Sequence, residues 1–550
     1  MTLKLSDEIL QAILVQESYV SAEDMNKAVD FAQKNNSTAL DYLFTQNILT
    51  TDLLGQALAE HYKIPYFDLN IHELDAAHVL KLPEELALKY NLLFLMENKD
   101  QILLATDDPT QPEMTEVLKQ TFPDKKILFV FSLTDDIKGK FVFYRKTLAT
   151  RFASILQEKK RVAPELVEEI IKDAIFYRAS DIHFEPTAME VLIRFRIDGV
   201  LQDAGRVTTE YYDNILNLIK VLAHIRTDEH LSAQDGAVRY GAEGAPTVDL
   251  RVSIVPTVNG EKVVIRLLSQ YISNLSFADL GLSYNDHKLL EHNMLRQFGM
   301  ILVTGPTGSG KTTTLYAVLK AVKNPGVNIT TIEDPVEYKI GGINQIQVNE
   351  QTNLTFAKGL RSILRQDPNI ILVGEIRDKE TSEIAVNAAL TGHLLLSTFH
   401  SNDASTAIPR LLDMGAEPFL LSSTLKLILA QRLVRRICEN CRYSVEFAKI
   451  DLNKKYPYLK TYFPDNSYTF YEGKGCQSCN YTGFKGRIAI FELISISPEI
   501  QDLIVAKAPA QAIWKIAEKQ GSRSLFADGL EKVQTGVTTL DELLRIARPF

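Results

Sequence analysis

One stretch, Gly299-Met-Ile-Leu-Val-Thr-Gly-Pro-Thr-Gly-Ser-Gly-Lys-Thr-Thr-Thr314, limits the possible folds more than any other. Met300 to Val303 is an apolar run of strand length. The glycines that follow demand a tight turn, and the chain from Lys311 onward reads as a helix. Gly305, Gly310, Lys311 and Thr312 fill the pattern G-x-x-x-x-G-K-[ST]. These residue types suit phosphate. Glycines let backbone N–H groups curl around an anion with no Cβ in the way. The helix N-terminus adds a favourable dipole. Lys311 can reach the β- and γ-phosphates of a nucleotide, and Thr312 can offer a hydroxyl to Mg²⁺. The whole loop is read as the ATP-binding segment: Gly305, Pro306, Thr307, Gly308, Ser309, Gly310, Lys311, Thr312 and Thr313.

Three more apolar runs end in polar clusters downstream. Asn328-Ile-Thr-Thr-Ile-Glu-Asp-Pro335 ends in Glu333 and Asp334 and is stopped by proline. Ile370-Ile-Leu-Val-Gly-Glu-Ile-Arg-Asp378 ends in Glu375 and Asp378, and His393 and His400 bracket Leu394 to Phe399. Open α/β sheets bind ligands beyond the carboxyl ends of their strands, so these clusters are expected beside the phosphate loop. Each residue has a plainer reading as well, as a strand-end carboxylate or a packed histidine.

At 550 residues the chain has room for three to four domains. Its net charge of −9 gives no bulk electrostatic case for nucleic acid. All four cysteines fall in two pairs, Cys438-Glu-Asn-Cys441 and Cys476-Gln-Ser-Cys479. Two such knuckles make a tetrahedral thiolate site, expected to hold structural Zn²⁺ with no ligand position left for catalysis. The start lacks the basic region and apolar core of a signal peptide, and no uninterrupted apolar run reaches about 18 residues. The expectation is a cytoplasmic protein, held at any membrane by partners.

Taken in order, the expected domains are a helical module at 1–62 and a small α/β domain at 63–145. A linker at 146–161 precedes an α+β domain at 162–275. Then come an α/β nucleotide core at 276–437, a tetracysteine insertion at 438–493 and a helical end at 494–550, punctuated by Gly521, Gly529 and Gly536. Ser21 and Thr50 are expected to cap helices in the first module. In the third domain Pro164 to Tyr177 reads as a helix ending in the loop Arg178 to Pro186. Arg194, Arg196, Arg251 and Arg266 alternate with apolar neighbours, so each strand can turn its arginines to one face. That face is read either as solvated or as presented to a neighbouring subunit's phosphates.

On these residues the chain resembles the secretion-superfamily ATPases, which drive type II secretion and type IV pilus assembly. The resemblance spans almost the whole length. It is carried by Gly305 to Thr314, the aspartate-box stretch Ile332-Glu-Asp-Pro-Val-Glu337, the atypical Walker B Leu372 to Asp378, the histidine box Thr391 to Asp403 and the four cysteines. Gly483-Phe-Lys-Gly-Arg487 and Asp528-Gly-Leu-Glu-Lys-Val533 add to it. Gly342 to Val348 and His400-Ser-Asn-Asp-Ala404 look closer to the pilus branch than to the secretion branch.

The resemblance implies a RecA-like P-loop core, a PAS-like domain at 162–275, and a homo-hexamer hydrolysing ATP with Mg²⁺. It also implies an inner-membrane platform protein as partner. Arg194, Arg251 and Arg266 would contact phosphate. Lys311, Glu333, Glu375 and His400 would form the catalytic group, with Glu375 supporting the metal beside Thr312. Glu333 is assigned to the attacking water, though the two glutamates could exchange roles. His400 would sense the γ-phosphate. Many relatives bind cyclic di-GMP through an N-terminal Arg-Leu-Gly signature. Ile9-Leu10-Gln11 and Thr38-Ala39-Leu40 stand at the matching places, so the resemblance does not extend to that ligand. A nucleic-acid translocase and a poorly hydrolysing regulatory module are the competing classes.

Overall fold

The computed structural model describes residues 7–35, 38–46, 48–69, 74–144, 162–241, 248–268, 277–349, 351–465 and 467–549. The linker expected at 146–161 lies outside the described residues. The chain divides into two compact units. One lies between Lys146 and Leu275, with the short stretch Glu337–Lys339, and the other takes the remaining segments.

The larger unit begins with four helices, Asp7–Gln16, Ala22–Asn35, Ala39–Thr45 and Thr51–Tyr62. Ser21 Oγ accepts the Asp24 N–H at 3.1 Å and Thr50 Oγ1 accepts that of Leu53 at 3.3 Å, the two caps expected from sequence. Leu14, Leu43, Leu54 and Leu58 are buried between these helices. A three-stranded sheet follows, made of β1 (Leu92–Glu97), β2 (Gln101–Thr106) and β3 (Lys126–Phe131). β1 and β2 form a hairpin, while β3 returns parallel to β2 after the helix Pro112–Thr121. The short helix Thr134–Lys140 closes this region.

The other unit is one antiparallel sheet. Its strands are β4 (Asp181–Pro186), β5 (Glu190–Ile197), β6 (Val200–Thr208), β7 (Gln234–Tyr240), β8 (Val248–Thr257) and β9 (Gly260–Leu268). The order is β6-β5-β4-β9-β8-β7. Helices Val162–Phe176 and Thr209–Leu222 share a core with Ile182, Phe184, Ile193, Phe195 and Ile265. β4 corrects the sequence reading, which ran a loop through Arg178 to Pro186. Only Ile182 and Phe184 supply its apolar face, and polar residues outnumber them.

The nucleotide core is built on β10 (Gly299–Thr304), β11 (Ile329–Glu333), β12 (Asn344–Gln347), β13 (Ile370–Val373), β14 (Leu394–Phe399) and β15 (Leu425–Ile437). A hairpin of β16 (Arg442–Ala448) and β17 (Ser467–Gly473) interrupts it before β18 (Phe484–Ser495). The sheet order is β12-β11-β13-β14-β10-β15-β18, parallel except for β18. β10, β11, β13 and β14 are buried along their whole length, as parallel strands covered on both faces must be. The boundary expected at 493 cuts through β18. Its apolar residues Ile490, Phe491 and Leu493 join the central sheet through β15 rather than the insertion.

Four helices end the chain: Pro498–Val505, Ala510–Lys519, Leu525–Gln534 and Leu540–Ile546. Gly521 and Gly536 hold positive φ at helix ends. Gly529 instead lies inside a helix, and a Cβ there would meet Leu543 Cδ1 at 2.2 Å. It is a close-packing residue, not the break read from sequence. No helix among the described residues is long and apolar enough to cross a membrane.

The last helix is fastened to β15 by Glu542. This buried carboxylate accepts from Arg435 Nη2 at 2.8 Å, Arg545 Nη2 at 2.6 Å and the Arg435 N–H at 3.1 Å. Burial alone would raise its pKa, but the hydrogen bonds from Arg545 and Arg435 hold it below its ordinary value of 4.5. Folding therefore favours the ionised form. Its contribution is complete above the ordinary carboxylate range and is lost as pH falls through the depressed native value. Glu542→Ala should destabilise the core by about 3 kcal/mol, because it leaves Arg435 half-buried and unpaired. Urea unfolding at pH 7 and at pH 3 checks this, with the gap to wild type narrowing in acid.

Candidate active site and metal centre

The loop 305–310 joins β10 to the helix Lys311–Val322. Gly305, Gly308 and Gly310 take φ of 150°, 78° and 88°. At two of them there is no room for a side chain either. A Cβ on Gly305 would lie 2.4 Å from the Gln431 carbonyl oxygen, and one on Gly310 would lie 2.8 Å from Gln431 Nε2. Gln431 comes from β15, is buried, and accepts from Thr314 Oγ1 at 2.7 Å. It is the floor under the loop. Sequence reasoning missed it because nothing local marks a glutamine more than a hundred residues downstream.

Lys311 is 9% exposed. Its ammonium donates to the carbonyls of Gly305 at 2.9 Å and Pro306 at 3.1 Å. Burial lowers its pKa, and Glu375 opposes that shift. Glu375 follows β13 and is largely buried. Oε1 pairs with Arg377, which also approaches Asp334 at 3.8 Å. His400 Nε2 lies 3.2 Å from Oε2 without hydrogen-bond alignment, so Oε2 is buried with no hydrogen bond. Arg410 donates to the His400 carbonyl. Thr304, at the end of β10, bonds Ser401 Oγ at 2.6 Å and so ties the phosphate loop's strand to the histidine box. Lys311, Glu375 and His400 thus meet at the carboxyl edge of the sheet.

Glu333 is placed differently. It is 2% exposed, at the end of β11. Tyr316 from the P-loop helix donates to Oε2, and Thr331 Oγ1 donates to Oε1 at 2.5 Å. Both oxygens are taken. Asp378 is also occupied, capping the helix Lys379–Leu390 through the Thr381 N–H at 2.8 Å. His393 sits at the opposite end of β14 from His400, its Nδ1 2.9 Å from the Ala388 carbonyl. The sequence reading had grouped it with the phosphate end.

In the antiparallel unit, Arg251 and Arg266 are direct cross-strand partners, as are Asp181 and Arg266. They therefore share a face. Arg266 Nε donates to Asp181 at 3.0 Å, and Arg194 pairs with Glu185. The expected arginine face exists, and Arg196 Nε also lies 3.6 Å from Asp181, so three of its members face carboxylates.

The four cysteine sulfurs lie within 4.8 Å of one another. Three of the separations are 3.8, 3.9 and 3.8 Å. A tetrahedron with Zn–S bonds of about 2.3 Å has edges of about 3.8 Å, so the donor set fits zinc in both chemistry and size. The Cys479 thiol is held below its ordinary value by the Cys438 thiol and by the N–H groups of Cys476 and Gly483. The Thr312 hydroxyl is a hard oxygen of the kind Mg²⁺ takes.

Residues 156–545 match the family described as Type II/IV secretion system protein, and residues 62–145 match the MshEN domain. A type IV pilus assembly ATPase (PilB) of Myxococcus xanthus is 36% identical over 98% of this chain and 99% of its own length. The corresponding protein of Thermus thermophilus is 38% identical over 92% of this chain, which spans 58% of that relative's length. The type II secretion system protein E of Pseudomonas aeruginosa is 44% identical over 72% of this chain and 77% of its own length. With its phosphate loop, acidic strand ends and four-cysteine cluster in place, the chain belongs to the type II/IV secretion system family of ATPases.

Proposed function

We propose that this protein is a motor ATPase that powers type IV pilus assembly. It would work as a homo-hexamer in the cytoplasm, against a platform protein on the inner face of the cell membrane. The observation that carries the motor reading is the convergence of Lys311, Glu375 and His400 at the carboxyl edge of the parallel sheet. The pilus assignment is supported by the end-to-end match with the Myxococcus protein. Type II secretion is the second reading, favoured by the higher identity to the Pseudomonas protein over a shorter span.

Phosphate oxygens would replace the Gly305 and Pro306 carbonyls on the Lys311 ammonium, and the amides of 305–313 would line the anion. Thr312 would hold Mg²⁺, which neutralises phosphate charge when bound. Glu375 Oε2 is the better placed of the two glutamates to accept the proton of the attacking water, since a base needs an unoccupied oxygen. Glu333 then acts through Tyr316 and Thr331, fixing the P-loop helix against β11. Glu375 thus takes the role first assigned to Glu333. His400, in contact with Glu375, would report the state of the γ-phosphate. The arginines Arg194, Arg251 and Arg266 remain candidates for phosphate contacts across a subunit boundary.

ATP turnover by the purified protein, with mass measured in the presence of nucleotide, tests this reading. Lys311→Ala and Glu375→Gln should each lower turnover by about 10²-fold or more, without loss of the folded state. Glu333→Gln should cost less, because the amide oxygen can still accept from one of the two hydroxyls while the other turns to accept from the amide N–H. A six-fold mass with that ranking supports the assignment. Equal turnover in wild type and Lys311→Ala overturns it. Stimulation by DNA with steep salt dependence would move the protein to the translocase class.

The zinc reading has its own check. Elemental analysis should find about one zinc per chain. Cys438→Ser should lose it and lower the thermal midpoint of the core, while ATP binding at the distant loop survives.

A further inference from the structure

One buried cation lies far from the nucleotide. Lys140 ends the helix Thr134–Lys140 of the N-terminal region and is 6% exposed. Its ammonium makes no hydrogen bond or ion pair with the described residues. The charged or titratable groups that face it are the Cys476 and Cys438 thiols, Lys485 and Asp136. The next turn, Phe141–Tyr144, lies against Gln477–Cys479 of the second cysteine knuckle. A lysine is rarely buried without an anion, since an uncompensated charge in the interior is expensive. Four thiolates on Zn²⁺ supply one, because they leave the cluster with surplus negative charge.

We propose that the metal-loaded cysteine cluster is the counter-ion of Lys140, so that metal occupancy docks the N-terminal region onto the ATPase core. The inference rests on the zinc reading above. It gives the cluster a task beyond holding its own hairpin, since the metal sets how firmly residues 134–144 stay on the core. Loss of metal removes the bound set of four thiolates from opposite the ammonium, and the N-terminal segment is then favoured to lift away. Lys485, held at 2.9 Å from Ser478 Oγ, shares the cluster's field from the knuckle's own side. Lys140 is the member that crosses from one domain to the other.

The test is hydrogen exchange of residues 134–144 in the full-length protein, with zinc measured in each sample. In wild type, chelation should speed exchange of this segment by about tenfold or more. In Lys140→Met, which keeps the length of the side chain and removes the charge, exchange should be slow and indifferent to metal. In Lys140→Glu the segment should exchange fast even with zinc bound, as two negative groups are then opposed. Zinc present with chelation leaving wild-type exchange unchanged overturns the proposal. So does chelation that opens wild type and Lys140→Met equally, because docking would then follow the knuckle's shape and not its charge. Protein that carries no zinc overturns the metal reading, and the inference with it.

Discussion

β10 is hydrogen-bonded on both edges, to β14 and to β15, and is buried on both faces. Its carboxyl end therefore cannot shift without breaking two ladders and a core. Thr304 closes the strand and holds Ser401, so the histidine box is locked to the same point. Val373 of β13 pairs with Ser397 of β14, which places Glu375 at the same level. Parallel register does the positioning here. Groups separated by about a hundred residues in sequence arrive at one edge because each follows a strand of matched length.

That edge is electrostatically unbalanced in an informative way. Lys311 has lost much of its water and is satisfied only by two carbonyls of its own loop. Carbonyls are modest partners for an ammonium compared with phosphate oxygens, since charge-assisted hydrogen bonds are about twice as strong as neutral ones. Glu375 keeps one buried oxygen without a hydrogen bond, as does Ser309 in the phosphate loop, and both are costs the fold bears at this edge. Glu333 is the contrast. It is more buried and fully engaged, and so suited to holding elements together. Two carboxylates that look equivalent as strand-end residues are thus separated by their hydroxyl neighbours.

Much of this was legible in the sequence, and the misses share one cause. The P-loop, the acidic strand ends and the cysteine pairs are local patterns, and each dictates its own geometry. The helix caps at Ser21 and Thr50 are local as well. β4 was not, because its polar residues Asp181 and Glu185 make sense only opposite Arg266 and Arg194 on other strands. Gly529 looked like punctuation until Leu543 filled the space beside it. Gln431 and Lys140 were invisible for the same reason. Their meaning lies in what they face, and the faced residues are distant in the chain. Nothing near Glu333 in the sequence shows that the hydroxyl of Tyr316, a helix residue, reaches across to it on β11.

β15 connects these parts. Gln431 supports the phosphate loop, Arg432 donates to the Asn402 carbonyl beside the histidine box at 3.3 Å, and Arg435 grips Glu542 in the last helix. Arg435 also stacks on Phe484 with its guanidinium 4.0 Å from the ring centroid, at the start of β18. At the far end, Ile437 leads straight into Cys438. One thirteen-residue strand therefore touches the nucleotide loop, the histidine box, the C-terminal helices and the cysteine cluster. Its pairing with β10 runs to Ala430, and from Gln431 onward its ladder partner is β18. The cysteine cluster in turn faces Lys140. The N-terminal region thus meets the cysteine knuckles that follow one end of the strand whose middle supports the phosphate loop.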